Sequence, residues 1–110
     1  MIVSFNEFLN ENFISGRFLT NINGREIVLK LQVEYINLLT KVYLIKDNKV
    51  YDNLSINLPD SRKLREGEFF LNPDINSNIV KELTKQNFIT KQKTESIAGD
   101  KKTTAYKLNI

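Results

Sequence analysis

The side chains that most often do chemistry in enzymes are scarce in this chain of 110 residues. Histidine and cysteine are both absent, which removes the commonest general base, the commonest metal ligand and all thiolate chemistry. The closest pair of carboxylates, Glu66 and Glu68, would share one face of an extended segment and could hold a divalent ion or act as acid and base. Two solvated loop charges are the simpler interpretation. We therefore predict a protein that is not an enzyme and that has no cofactor and no metal site.

Other catalytic patterns point the same way. No serine lies in a Gly-x-Ser-x-Gly or Ser-x-x-Lys motif, and no glycine-rich phosphate loop is present. The composition, 41% apolar and 26% charged, is ordinary for a globular protein. The length predicts a single domain over residues 1–110.

Targeting signals are also missing from the sequence. No stretch approaches the ~20 apolar residues of a membrane span, which predicts no contact with a membrane. The first 15 residues carry two acidic residues and no basic one, a pattern that a signal peptide does not have. The expected location is the cytoplasm.

Residues 24–59 contain most of the periodic hydrophobic pattern. Apolar side chains recur at every second position from Ile27 to Tyr35, as in a strand with one buried face. Two further apolar segments, 38–45 and 50–58, follow, and residues 17–22 form a short strand before them. The Asn23-Gly24 and Asp47-Asn48 pairs are typical of tight hairpin turns. We predict a meander of four or more antiparallel strands with one apolar and one polar face.

A helix is predicted before this sheet. Ser4 and Glu7 have the spacing of a capping box, and an apolar stripe follows it: Phe5, Phe8, Leu9 and Phe13. Gly16 is placed to end the helix in a left-handed conformation. We expect this helix to cover the apolar face of the sheet. The alternative is that its phenylalanines form a partner-binding face.

A second helix and a hairpin are predicted in the C-terminal half, after a short edge strand at 68–71. Asn72 would be the N-cap, with Pro73 at the first helical position and Asp74 favourable to the helix dipole. Asn87 would end the helix. Residues 88–110 then form a hairpin that turns at Ala98-Gly99-Asp100 and that could extend the sheet. The predicted fold class is accordingly α+β.

Positive charge is concentrated in the same half. Residues 61–110 carry ten Lys or Arg against six Asp or Glu, while residues 1–60 carry six against seven. A helix followed by a basic hairpin has the outline of a winged helix, in which Lys81 and Lys85 would also contact phosphates. A sheet stands where a winged helix needs two more helices, and lysines on a hairpin also protect an edge strand. The candidate residues for binding a partner or nucleic acid are Arg62, Lys63, Arg65, Lys91, Lys93, Lys101 and Lys102.

Several short motifs occur in a recognisable order over residues 25–110. They are YDNLSINLP at 51–59, GEFFLNP at 67–73, a helix ending near 87, and Ala98-Gly99 followed by a Thr-Thr-Ala-Tyr close at 103–106. This order resembles a family of small uncharacterised proteins encoded on bacterial conjugative and other mobile elements. The Tyr-Pro close of that family is absent here.

The resemblance implies a mobile-element accessory protein without enzymatic activity. Genes of this kind often lie beside antirestriction genes, so the implied function is to bind and inhibit a host defence nuclease, as anti-CRISPR and antirestriction proteins do. The implied partner is the nuclease effector or its ribonucleoprotein. Direct binding of nucleic acid by the C-terminal helix and hairpin is the alternative function.

Overall fold

Two four-stranded antiparallel sheets make up most of the described chain. The computed structural model describes residues 13–37 and 39–109, with side chains from Arg17 onward. The first sheet has the order β1-β2-β3-β4 and is formed by Phe13–Ile22, Arg25–Ile36, Leu39–Lys46 and Lys49–Asn53. No helix in these described ranges is long and apolar enough to cross a membrane.

The two predicted turns of the first sheet are confirmed. Asn23 and Gly24 have φ of 54° and 81°, and Asp47 and Asn48 have φ of 52° and 65°. Positive φ at both central residues is what a type I′ turn requires, and its twist matches that of the flanking strands. Each turn thereby fixes the register of its hairpin, Ile22 opposite Arg25 in the first case.

The second sheet has the order β5-β6-β8-β7. Its strands are Ser55–Ile56, Glu68–Leu71, Ile89–Ala98 and Lys101–Leu108, numbered β5 to β8 along the chain. A 3₁₀-helix, Pro59–Lys63, lies between β5 and β6, and one α-helix, α1 (Ser77–Lys85), lies between β6 and β7. The predicted C-terminal hairpin is present, with Gly99 at a φ of 67° in its turn.

Leu54 joins the two sheets. Its amide donates to the Val42 carbonyl in β3 at 2.9 Å, and its own carbonyl accepts from the Asn72 amide, just beyond β6, at 2.8 Å. The Ser55 hydroxyl then accepts from the Val42 amide at 2.9 Å. One extended segment therefore leaves the first sheet and enters the second without leaving these backbone groups unpaired.

One apolar core lies between the sheets and α1. From the first sheet it contains Leu29, Leu31, Val33, Val42 and Leu44; from α1, Ile79 and Leu83; from the second sheet, Phe69, Ile89, Tyr106 and Leu108. Alternation along each strand sends these side chains to a common interior. The apolar side chains of α1 recur with the 3.6-residue period of a helix and so lie on one face. This face of α1 closes the core at one side.

The opposite face of the second sheet is covered by the 3₁₀-helix. Phe70 and Ala105, which are cross-strand partners, point to this face and are fully buried. The Ser96 hydroxyl donates to the Asp60 carboxylate at 2.7 Å, which attaches the 3₁₀-helix to β7. The second sheet is therefore buried on parts of both faces.

The predicted α+β class is wrong, because the protein is mostly β, with 60% of the described residues in strands and 15% in helices. The second half of the chain forms a sheet of its own, so the C-terminal hairpin does not extend the meander. The strand predicted over 50–58 is divided at Leu54 between β4 and β5. The segment predicted as an edge strand at 68–71 is an interior strand, paired with β5 and β8.

The prediction of an N-terminal helix is also wrong in the part of that helix that the structure describes. Phe13 and Gly16, expected in the last turn and at the end of that helix, lie in β1, and Phe13 is opposite Val33 of β2. The backbone N–H and C=O groups along one edge of β2 need hydrogen-bond partners, and β1 supplies these partners as far as Phe13. The remainder of the predicted helix, with its capping box, lies outside the described residues.

The start of α1 lies four residues later than predicted. Asn76 is the N-cap, and its side chain accepts from the Asn78 amide at 2.9 Å. Asn72 instead caps a separate turn by accepting from the Asp74 amide at 3.1 Å. The predicted end is correct, since Asn87 is left-handed with φ of 64°.

Thr20 provides a test of the core. Its side chain is 4% exposed and its hydroxyl has no hydrogen-bond partner among the described residues. Thr20→Val should raise the free energy of unfolding by about 1 kcal/mol, because it removes a desolvated hydroxyl and keeps the shape. Urea unfolding measures the change.

The matched control is Thr40→Val. Thr40 is 6% exposed, but its hydroxyl accepts from the Gly67 amide at 2.9 Å. This change should lower the free energy of unfolding by about 1 kcal/mol, because the amide loses its partner. A loss of stability in Thr20→Val as well would mean that the Thr20 hydroxyl is hydrogen-bonded in solution.

Candidate functional site: an apolar groove beside the helix

A solvent-open groove of about 610 Å³ runs between α1 and the second sheet. Its size is within the usual range of ligand pockets, roughly 300–1,000 Å³. Leu71 of β6 and Tyr106 of β8 form the floor, α1 forms one wall, and the segment between β6 and α1 forms the end. The lining residues, called here the helix–sheet groove, are Leu71, Asn72, Pro73, Ile75, Ser77, Val80, Lys81, Thr84, Lys85 and Tyr106.

The floor of the groove is positioned by the second sheet. Tyr106 is opposite Phe69 in the β6–β8 ladder, and the two rings stack at 6.5 Å between centroids and 27° between planes. The Thr103 hydroxyl donates to the Leu71 carbonyl. Because Phe69 and Tyr106 both belong to the core cluster, the groove floor is continuous with the packed interior.

The wall of the groove is a second face of α1. Ile79 and Leu83 point to the core, while Ser77, Val80 and Thr84 line the groove together with Lys81 and Lys85. Residues three and four apart lie on one side of a helix, so this spacing gives a continuous wall. The Thr84 hydroxyl donates to the Val80 carbonyl at 2.7 Å, which keeps its polar atom satisfied on the wall.

The two charged residues in the described lining of the groove are both positive. Lys81 and Lys85 are exposed and four residues apart on α1. Lys91 of β7 is opposite Tyr106 in the β7–β8 ladder, and directly opposed residues of an antiparallel pair point to the same face. Asp74, at the end of the groove, is paired with Lys101. The groove is therefore an apolar concavity with a basic rim.

Burial raises the pKa of Tyr106 above its ordinary value of 10 because the phenolate is desolvated beside the core. The hydroxyl therefore stays protonated at neutral pH. A protonated phenol can both donate and accept a hydrogen bond. The groove floor thus offers one neutral polar atom among apolar side chains.

The basic residues predicted on the hairpin are not all available. Lys101 forms an ion pair with Asp74, and Lys102 forms one with Glu95 at 3.7 Å. Lys91 is on the groove face, while Lys93 lies in the irregular part of β7, between Lys91 and Glu95, where the register shifts. The carboxylates beside Lys101 and Lys102 reduce the positive potential that a wing would present to phosphates.

The other three predicted residues lie elsewhere. Lys63 pairs with Asp60 at 3.7 Å, and Arg62 lines a separate hollow with Leu39 and Pro59. Both belong to the 3₁₀-helix, which covers the face of the second sheet away from Tyr106. Arg65 is exposed in the loop before β6. The seven candidates therefore do not form one patch.

The acidic pair Glu66 and Glu68 does not form a site. Glu66 lies in a turn with Gly67, so the two residues do not share an extended segment. The Glu68 carboxylate accepts from the Arg65 amide at 2.9 Å, which closes that turn. Within the described ranges, no group of three or more carboxylates could hold a metal ion.

Sequence reasoning missed most of the groove. In the sequence, Ile75, Ile79, Val80 and Leu83 look like one apolar stripe of a helix, and Leu71 and Tyr106 look like ordinary strand residues. The sequence did contain one indication of a second face. Ile79 and Val80 are adjacent and point in different directions from the helix, so they cannot both be fully buried against the core. Only the folded structure, in which α1, β6 and β8 line the same groove, reveals that Val80 faces it.

No protein-family model matches this chain. Curated proteins and solved structures likewise give no match. The geometry of the groove and the sequence motifs therefore carry the functional inference.

Proposed function

We propose that this protein is a non-enzymatic accessory protein of a mobile genetic element that binds and inhibits a host defence nuclease, of the anti-CRISPR or antirestriction type. The partner would be the nuclease effector or its ribonucleoprotein, and the site of action would be the cytoplasm. The observation that carries the proposal is the helix–sheet groove, an apolar concavity whose apolar residues pack in or against the core. The order of the sequence motifs supplies the class of partner.

The groove has the features of a protein-binding site. Interface centres are apolar and concave, and charged residues are found at their rims. Leu71, Ile75 and Val80 are only half-buried in the free protein, so a partner would gain from covering them. Lys81 and Lys85 lie at the rim, where they favour encounter with a partner of opposite charge.

Titration against defence nucleases tests the proposal. Cleavage by a sensitive effector should fall in proportion to the amount of protein added and stop near an equimolar ratio. Thr84→Trp, which fills the groove from an exposed position, should weaken inhibition by about tenfold or more, as expected when a central contact is blocked.

The control is Lys107→Trp. Lys107 is exposed on the opposite face of the second sheet, so this variant should inhibit like the natural protein. If no effector from the same host is inhibited, or if far less than one equivalent of the protein stops cleavage, the proposed function is wrong.

Direct binding of nucleic acid is a second candidate, supported by Lys81, Lys85 and Lys91 around one groove. Under this candidate, changing Lys91, Lys93, Lys101 and Lys102 together to alanine should lower the affinity for DNA or RNA. Each phosphate contact that is lost should reduce the slope of log affinity against log salt by about 0.9 for duplex DNA. Equal affinity and slope before and after the change would eliminate the winged-helix mode.

A further inference from the structure

We infer that the helix–sheet groove receives an amphipathic α-helix of the partner, with an apolar stripe flanked by Asp and Glu. The identification of the partner as a defence nuclease rests on the proposed function. The chemistry of the bound segment follows from four properties of the groove itself: its charge, its lack of free backbone groups, its length, and the one aromatic ring of its described lining.

Charge selects an acidic segment. Among the described residues that line the groove, only Lys81 and Lys85 are charged. Lys91 adds a third positive charge on the same face of the second sheet, next to Tyr106. Asp74, which lies between the lining residues Pro73 and Ile75, is already paired with Lys101. A basic segment would therefore be repelled, and an acidic one would find three partners.

Backbone pairing selects a helix over a strand. The floor is formed by β6 and β8, which are both interior strands: β6 pairs with β5 and β8, and β8 pairs with β6 and β7. An extended peptide binds a sheet by adding to a free edge, and the groove floor has none. A helix satisfies its own backbone groups and needs only an apolar surface.

The dimensions also fit a helix. The wall is α1, nine residues long, or about 13 Å at the usual rise per residue. A helix lying on the sheet beside α1 would contact it over about two to three turns. Its apolar stripe would cover Leu71, Ile75 and Val80, and its acidic edge would face Lys81 and Lys85.

The groove suits single-stranded nucleic acid poorly. Such binding depends on exposed aromatic rings on which bases stack. Within the part of the chain that the structure describes, Tyr106 is the only aromatic residue of the lining; it is 9% exposed, and its ring already stacks on Phe69. The remaining floor is aliphatic. A nucleic acid could contact the rim lysines but would gain little from the floor.

Selection from displayed peptides tests the inference on the full chain. Two libraries of helical peptides, about 14 residues or four turns long, would share a randomised apolar stripe, with Glu flanking it in one library and Lys in the other. Binders should come from the Glu library. Their affinity should fall by about tenfold for the double variant Lys81→Glu and Lys85→Glu, since two rim charges are reversed.

A double variant with the same change in net charge serves as the control. Lys49→Glu with Lys107→Glu alters two exposed lysines away from the groove and should leave peptide affinity unchanged. Binders from the Lys library, or binders that Lys81→Glu and Lys85→Glu do not weaken, would overturn the inference. Displacement of the selected peptide by single-stranded oligonucleotide at the same site would overturn it in favour of nucleic acid.

Comparison with nuclease titration separates the two proposals. If the Glu peptides bind the groove but no effector is inhibited, the inference stands and the proposed function is wrong. If an effector is inhibited equally by the natural protein and by the Lys81→Glu and Lys85→Glu variant, the function stands and the inference is wrong.

Discussion

Leu54→Ala should lower the free energy of unfolding by about 2–5 kcal/mol, the usual cost of truncating a buried leucine. The side chain is 0% exposed and belongs to the common core. The Leu54 backbone bonds to Val42 and Asn72 remain possible in the variant. The loss therefore measures the contribution of this one side chain at the place where the chain changes sheets. Urea unfolding gives the free energy.

Val50→Thr is the control for this prediction. Val50 lies in β4, four residues before Leu54, and is 60% exposed. Valine and threonine are both β-branched, so the free energy of unfolding should change by no more than about 0.5 kcal/mol. A cost for Leu54→Ala as small as that of Val50→Thr would mean that the two sheets are not packed on a common core at this point.

Phe69→Ala should lower the free energy of unfolding by about 3–5 kcal/mol, as expected for a buried aromatic residue. Phe69 is 2% exposed, and its ring stacks beside that of Tyr106 on the same face of the second sheet. Its removal would leave a cavity next to Tyr106, so binding at the groove should weaken as well. Thermal and urea unfolding measure the first effect, and the selected peptide measures the second.

Tyr51→Ala provides the comparison for Phe69→Ala. Tyr51 is an exposed aromatic residue on β4, so its truncation should cost less than about 1 kcal/mol. It should not change binding at the groove. If Phe69→Ala destabilises the protein but leaves peptide affinity unchanged at a temperature where it is folded, Tyr106 does not depend on Phe69 for its position.

Local signals predicted the local structure well. Asn23-Gly24 and Asp47-Asn48 form the expected turns because few residues adopt positive φ at low cost. The alternation of Leu29, Leu31 and Val33 correctly identified the buried face of β2. The turns and the alternation along β2 depend only on residues that are neighbours in the chain, so they can be predicted from the sequence.

Choices between equivalent signals could not be predicted. Asn72 and Asn76 both cap a turn through their side chains, and only Asn76 begins a helix. The alternating segment at 50–58 looks like one strand, because a change of sheet at Leu54 leaves the two-residue period intact. Likewise, Phe13 suits a helical stripe as well as a strand, and pairing with Val33 decides between them.

The candidate site was less predictable than the fold because it depends on tertiary packing. Lys91 and Tyr106 are 15 positions apart in the sequence and become neighbours through the β7–β8 register. Lys101 and Lys102 looked available in the sequence, but Asp74 and Glu95 lie beside them in the fold. Charge counts along a chain do not contain such pairings.

The irregular register of β7 has a consequence for behaviour at high concentration. β7 is at the border of the second sheet, and between Lys91 and Glu95 it takes four steps while β8, from Tyr106 to Thr104, takes two. A border strand with such an offset cannot align its amides with the flat strand of a neighbouring molecule. Lys91 and Lys93 add mutual repulsion between copies. Concentrated solutions should therefore resist growth of fibrils through this border.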